Sequence, residues 1–176
     1  MRNGRPLGLP HRILGIDLGD RRIGVALGDL EAMTAAPLAT LRRGKTVAED
    51  ARRITRLAQE QRIEALIVGL PLNMDGSEGP QAARTREWAN LIAQSTGLPL
   101  RLRDERLSSE RAEARVGAAR KSKSGAPPTS ARRQAQRQRV DREAATLILQ
   151  DELDDEASRP RPSARSAEPG ADAPEK

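Results

Sequence analysis

Residues 12–29, RILGIDLGDRRIGVALGD, decide how the rest of the chain is read. Two aliphatic runs, Arg12–Leu18 and Arg22–Leu27, flank Gly19 and Asp20, residue types that favour a tight turn, so the stretch predicts a β-hairpin. Asp17 interrupts the first run. An uncompensated charge in a core costs on the order of several kcal/mol, so Asp17 needs a partner that the remaining sequence must supply. A turn acid bonded to neighbouring backbone N–H groups explains the same letters.

The composition narrows the chemistry. Among 176 residues there is no Cys, which excludes disulfides, thiolate zinc sites and a Cys nucleophile and fits a reducing compartment. The single His, His11, leaves no basis for a His-held metal or a Ser-His triad, so any metal would be bound through oxygen. With no Phe, no Tyr and one Trp, the core must be aliphatic. Lys and Arg number 31 against 25 acids, a formal net charge of +6 that favours polyanionic partners through counterion release. The N-terminal stretch lacks the apolar run of ~7–15 residues of a signal peptide, and no segment reaches the ~18 apolar residues of a membrane span. The protein is expected to be soluble and cytoplasmic, with no membrane partner.

Further along, Pro37–Arg42 reads as a weaker strand, and Val47, Ala51, Ile54, Leu57 and Ala58 mark an amphipathic helix over Val47–Gln61. EALIVGL (64–70) has the continuous aliphatic character of a strand covered on both faces. The loop PLNMDGSEGP (71–80) precedes a helix marked by Thr85, Trp88, Ala89 and Ile92 and closed near Gly97. Leu98–Arg103 reads as a half-exposed strand, and Ser108 as the N-cap of a helix to about Ala119. Residues 120–139 hold seven Lys or Arg, no acid, and a Pro-Gly-Ser centre, the composition of a basic flexible loop. A last helix covers Asp141–Leu153. This order predicts an α/β fold, a mixed five-stranded sheet flanked by helices in a single domain over 12–155. Residues 1–11 are a flexible lead and 156–176 a tail too polar to order itself.

Three acids stand at element ends. Asp17 follows the first strand's apolar run, and Asp141 begins the stripe Asp141, Ala145, Ile148 and Glu152 of the last helix, where a cap or first-turn acid would also sit. The third comes from DER (104–106). Asp104 shares the parity of Leu98, Leu100 and Leu102 and Glu105 that of Arg101 and Arg103, so alternation alone aims Asp104 at the core without settling the choice. A surface ion pair with Arg103 or Arg106 is the plainer reading of either. Together the acids suggest one cluster neutralised by a hard cation, Mg²⁺ or Mn²⁺, of the kind that drives phosphodiester hydrolysis.

GIDLGDRRIGVALGD (15–29), IVGLPLNMDGSEGPQAARTREWA (67–89), DERLSSERAEA (104–114) and VDREAATLILQDEL (140–153) resemble, in order, the motifs of the YqgF family, a Holliday junction resolvase-like group of the ribonuclease H-like superfamily. The resemblance implies a metal-dependent nuclease that trims the 5′ end of precursor 16S ribosomal RNA, with resolution of branched DNA as the alternative. It places the catalytic, metal-holding acids on Asp17, Glu105 and Asp141, with Asp75 and Asp104 as accessory candidates. Asp20 stands where the family usually has a small hydroxyl residue, and the 120–139 segment is longer than typical. Candidate nucleic-acid contacts are Arg21, Arg22, Asn73, Ser77, Lys121, Lys123, Arg132 and Arg133. Expected partners are precursor ribosomal RNA or branched DNA, bound by a monomer or, for symmetric cuts in a junction, a homodimer. Two alternatives remain: an ATP-binding protein of the sugar kinase and heat-shock class, whose first phosphate motif also resembles GIDLG (15–19) but whose second domain this length leaves no room for, and a nucleic-acid-binding module without catalysis.

Overall fold

A computed structural model describes residues 11–105, 116 and 130–158. Five strands form one sheet: β1 (Arg12–Leu18), β2 (Arg22–Asp29), β3 (Thr34–Arg42), β4 (Ala65–Leu70) and β5 (Leu100–Asp104), in the order β3-β2-β1-β4-β5. The predicted hairpin is present. β2 runs antiparallel to β1, with Asp17 opposite Gly24, and to β3, while β4 lies parallel to β1 and β5 parallel to β4. The mixed five-stranded α/β sheet expected from the sequence is therefore what this chain builds.

Helix α1 (Val47–Gln61) starts where Thr46 accepts a hydrogen bond from the Glu49 N–H and stops at Arg62, whose φ of 53° turns the chain left-handed. Helix α2 (Pro80–Thr96) has proline in its first turn and ends on Gly97 at φ 69°, a conformation glycine adopts without a Cβ clash. Both lie on one face of the sheet. Their Ala51, Ile54, Ala58, Trp88, Ala89 and Ile92 pack on Leu14, Ile16, Ile23, Val25, Leu66 and Val68. Burying each large aliphatic side chain there contributes roughly 1.5–3 kcal/mol. Asp50 is buried in this face; it accepts hydrogen bonds from Trp88 Nε1 at 3.1 Å and Gly44 N–H at 2.7 Å, with Arg43 Nε 3.5 Å away.

The opposite face is covered by α3 (Ser130–Ser158), whose Ala145, Ile148, Leu149 and Leu153 pack on Ile13, Ala26 and Ile67. The sheet is carpeted with glycine beneath it. A Cβ at Gly15 would come within 2.8 Å of Leu149 Cβ, and one at Gly28 within 2.9 Å of Leu149 Cδ2. Arg101 and Arg103 of β5 pin the far end of α3 through Glu152 at 2.8 and 2.7 Å, and Arg103 adds Asp155 at 2.7 Å.

Two expectations about local structure change. β3 begins at Thr34 rather than Pro37. Residues 130–139, read as loop, are the opening turns of α3, because past Pro127 and Pro128 the stretch SARRQAQRQR consists of strong helix formers. The breaker-rich centre of 120–139 masked that change of composition. The helix expected over 108–119 and the residues Lys121 and Lys123 lie outside the described residues.

Candidate functional site

Strand alternation explains how the acids meet. On β1 the residues facing α3 are Ile13, Gly15 and, continuing the series, Asp17; on β4 they are Ala65, Ile67 and Gly69. On β5 the same face carries Arg101 and Arg103, both paired with α3, so the next position of that parity is Glu105. Its backbone N–H still joins the sheet, donating to Leu70 O at 3.2 Å. Asp104, aimed at the core by parity, is exposed at the strand's end. The parity argument assumed one buried face, whereas the sheet has two, and the acids share the one beneath α3.

Glu105 is seated by a missing side chain. A Cβ on Gly69 would collide with Glu105 Oε2 and come within 2.6 Å of Ile148 Cδ1, and that oxygen is shielded from solvent. Asp141 is positioned the same way, since a Cβ on Gly24 would strike its carbonyl oxygen and lie 2.6 Å from its carbonyl carbon. Asp141 stands three turns inside α3, which removes the cap or first-turn reading. The Arg22 guanidinium grips its carboxylate, Nε donating to Oδ2 and Nη2 to Oδ1 at 3.3 Å. Arg22, expected on phosphate, thus faces an acid across 119 residues of sequence.

Electrostatics tie the acids together. Burial, with the Asp141 charge adding to it, pushes the Asp17 carboxyl up to about 7. Burial first, then Asp17 and Asp104, pushes Glu105 up to about 8. Proton affinity at both acids is therefore raised toward neutrality, and nearby positive charge would lower it again. As the side chains stand, no group of three or more His, Asp or Glu among the described residues is gathered closely enough to surround a metal ion. Asp17 feels both other acids, while Asp141 is held by Arg22.

The remaining candidates separate. Asn73, Asp75 and Ser77 shape their own loop: Ser77 Oγ donates to Asp75 Oδ1 at 2.6 Å and accepts from Asn73 Nδ2 at 2.9 Å, and Asn73 N–H donates to Ser77 O at 2.9 Å. Arg21 and Arg133 line a cleft of about 440 Å³ beside Arg22; Arg132, exposed on α3, does not. Sequence reasoning missed Arg42, Arg137, Gln134 and Gln138 in the same cleft. Their signal was available, since 134, 137 and 138 precede Asp141 at helical spacing.

Residues 11–155 match the family described as RuvX: Holliday junction resolvase. A protein of Acidiphilium cryptum (strain JF-5), named "Putative pre-16S rRNA nuclease", is 43% identical over 143 residues, 81% of this chain and 84% of the relative. A relative of the same name from Anaeromyxobacter sp. (strain K) is 45% identical over 143 residues, covering 81% of this chain and 96% of its own. Among solved structures, Thermus thermophilus RuvC in complex with a Holliday junction substrate aligns with 83% of this chain and 96% of its own at 16% identity and a TM-score of 0.49.

Proposed function

The chain belongs to the RuvX family, and on that footing we propose that it is a cytoplasmic, metal-dependent nuclease that trims precursor 16S ribosomal RNA. The names of its relatives support a hydrolase of phosphodiester bonds. The observation that carries the reading is the shared face: Asp17, Glu105 and Asp141 come from three separated elements to one end of the α3 interface. Carboxylates alone form the donor set, which suits Mg²⁺ or Mn²⁺ rather than a softer ion. The raised proton affinities of Asp17 and Glu105 mark a place where positive charge is wanted.

Such a cation, when bound by Asp17, Glu105 and Asp141, supplies Lewis acidity toward the scissile phosphate and lowers the proton affinity of attacking water. The chain's own residues set the conditions. Asp17 and Glu105 would hold the cation as deprotonated carboxylates, and Gly69 leaves the space that fixes where the Glu105 carboxylate rests. Arg22 orients Asp141 through two hydrogen bonds and supplies the positive charge that a cation would bring to that carboxylate.

The test is cleavage of a 5′-extended 16S precursor in Mn²⁺ by the wild type, Asp17→Asn and Glu105→Gln. Each variant is expected to lose more than the ~10–100-fold that removal of a metal site's outer contacts costs. Undiminished cleavage by both overturns the reading. The family description also favours branched DNA, so a four-way junction belongs in the same assay; preferential cutting there, by a dimer with paired sites, would replace the RNA assignment.

A further inference from the structure

The stripe of α3 that carries Asp141 does not stop there. Going back toward the helix start, Gln138, Arg137, Gln134, Arg133 and Ser130 follow at helical spacing, and all of them line the cleft against Arg21, Thr40 and Arg42 of the sheet edge. Thr40 fastens this overhang to the sheet by donating from Oγ1 to Gln138 O at 3.0 Å. Arg42 lies opposite Arg22 in the β2–β3 register, so the row of guanidiniums begins beside the acids. Among the described residues no acid lines the cleft, and Arg21, Arg42 and Arg137 form no ion pair. Like charges gathered this way repel one another unless an anion lies between them.

Resting on the nuclease reading above, we propose that this cleft between the α3 overhang and the β2–β3 edge holds the sugar-phosphate backbone of a single nucleic-acid strand beside the scissile phosphate, with Arg21, Arg42 and Arg137 as phosphate contacts. From Asp141 to Arg133 the helix rises ~12 Å, a span long enough for a short run of phosphates of one strand. A volume of about 440 Å³ is that of a site for one compact ligand, not a duplex. The only aromatic side chain, Trp88, is buried on the opposite face. Base stacking is absent from the cleft's lining, so the strand is gripped through charge and the glutamine amides rather than through its bases.

The experiment measures binding of a fluorescent single-stranded RNA, and of the DNA strand of the same sequence, to the full chain in metal-free buffer across a salt series. Arg42→Ala and Arg137→Ala are each expected to weaken binding of both strands roughly fivefold at 0.1 M salt and to flatten the salt dependence by about one phosphate contact. Lys at either position should restore most of the loss. Arg52→Ala, on the exposed side of α1, is the control. If Arg42→Ala and Arg137→Ala bind no more weakly than Arg52→Ala, the cleft assignment is overturned. If those variants lose binding while Asp17→Asn and Glu105→Gln both cleave undiminished, the carboxylate-site reading falls and the cleft assignment stands.

Discussion

On the α1/α2 face the central strands present Leu14, Ile16, Ile23, Val25, Leu66 and Val68, whereas one residue out of step, on the α3 face, they present Gly15, Asp17, Gly24, Gly28 and Gly69. Both faces are covered by helix. The first is filled with side-chain volume, and the helices stand off on it. The second has been emptied, so the α3 backbone comes down onto the strands and the carboxylates find room among glycines. Large aliphatic side chains of the central strands fill the first face, and the three candidate acids gather on the second.

The largest break in that contrast comes from the filled face. Leu14→Ala should cost about 2–5 kcal/mol of unfolding free energy, read by denaturant titration, while cleavage per folded molecule stays at the wild-type value. Gly24→Ala should cost less stability, about 1–3 kcal/mol from overpacking. Its cleavage should nevertheless fall well below the folded fraction, because the new methyl group pushes Asp141 away from Asp17. Equal losses of activity per folded molecule in the two variants would dissolve the contrast.

A gentler probe is pH. Asp17 and Glu105 bind protons more tightly folded than unfolded, with values raised to about 7 and about 8, so their contribution to stability is full below about pH 4 and is lost as pH rises through 7 to 8. In metal-free buffer the melting temperature should fall across that window. Asp17→Asn combined with Glu105→Gln should flatten the fall, and Mn²⁺ should do the same for the wild type by binding the deprotonated acids. A slope that persists in the double variant would assign the titration to other groups.

Much of the filled face was legible because periodicity encodes it. Ile54 and Ala58, or Leu66 and Val68, carry their partners' pattern in their own spacing. The acids were legible as anomalies in that pattern: Asp17 interrupts an aliphatic run and Asp141 stands on an apolar stripe. What joins them was not. The grip of Arg22 on Asp141 spans 119 residues, and neither neighbourhood announces the other. Parity could not decide between Asp104 and Glu105, because a strand with two covered faces has no single inward direction. Asn73, Asp75 and Ser77 looked like ligands because the side chains that bind phosphate are also those that fold a turn upon itself.

The placement of Trp88 has an optical corollary. As the sole indole in a chain without tyrosine, buried beside Asp50 and beneath α1, it is a built-in fluorophore on the side of the sheet remote from the acids. Its emission should follow the melting of that layer and stay unchanged on addition of cation or strand, so that folding and ligation can be recorded in one cuvette as independent signals.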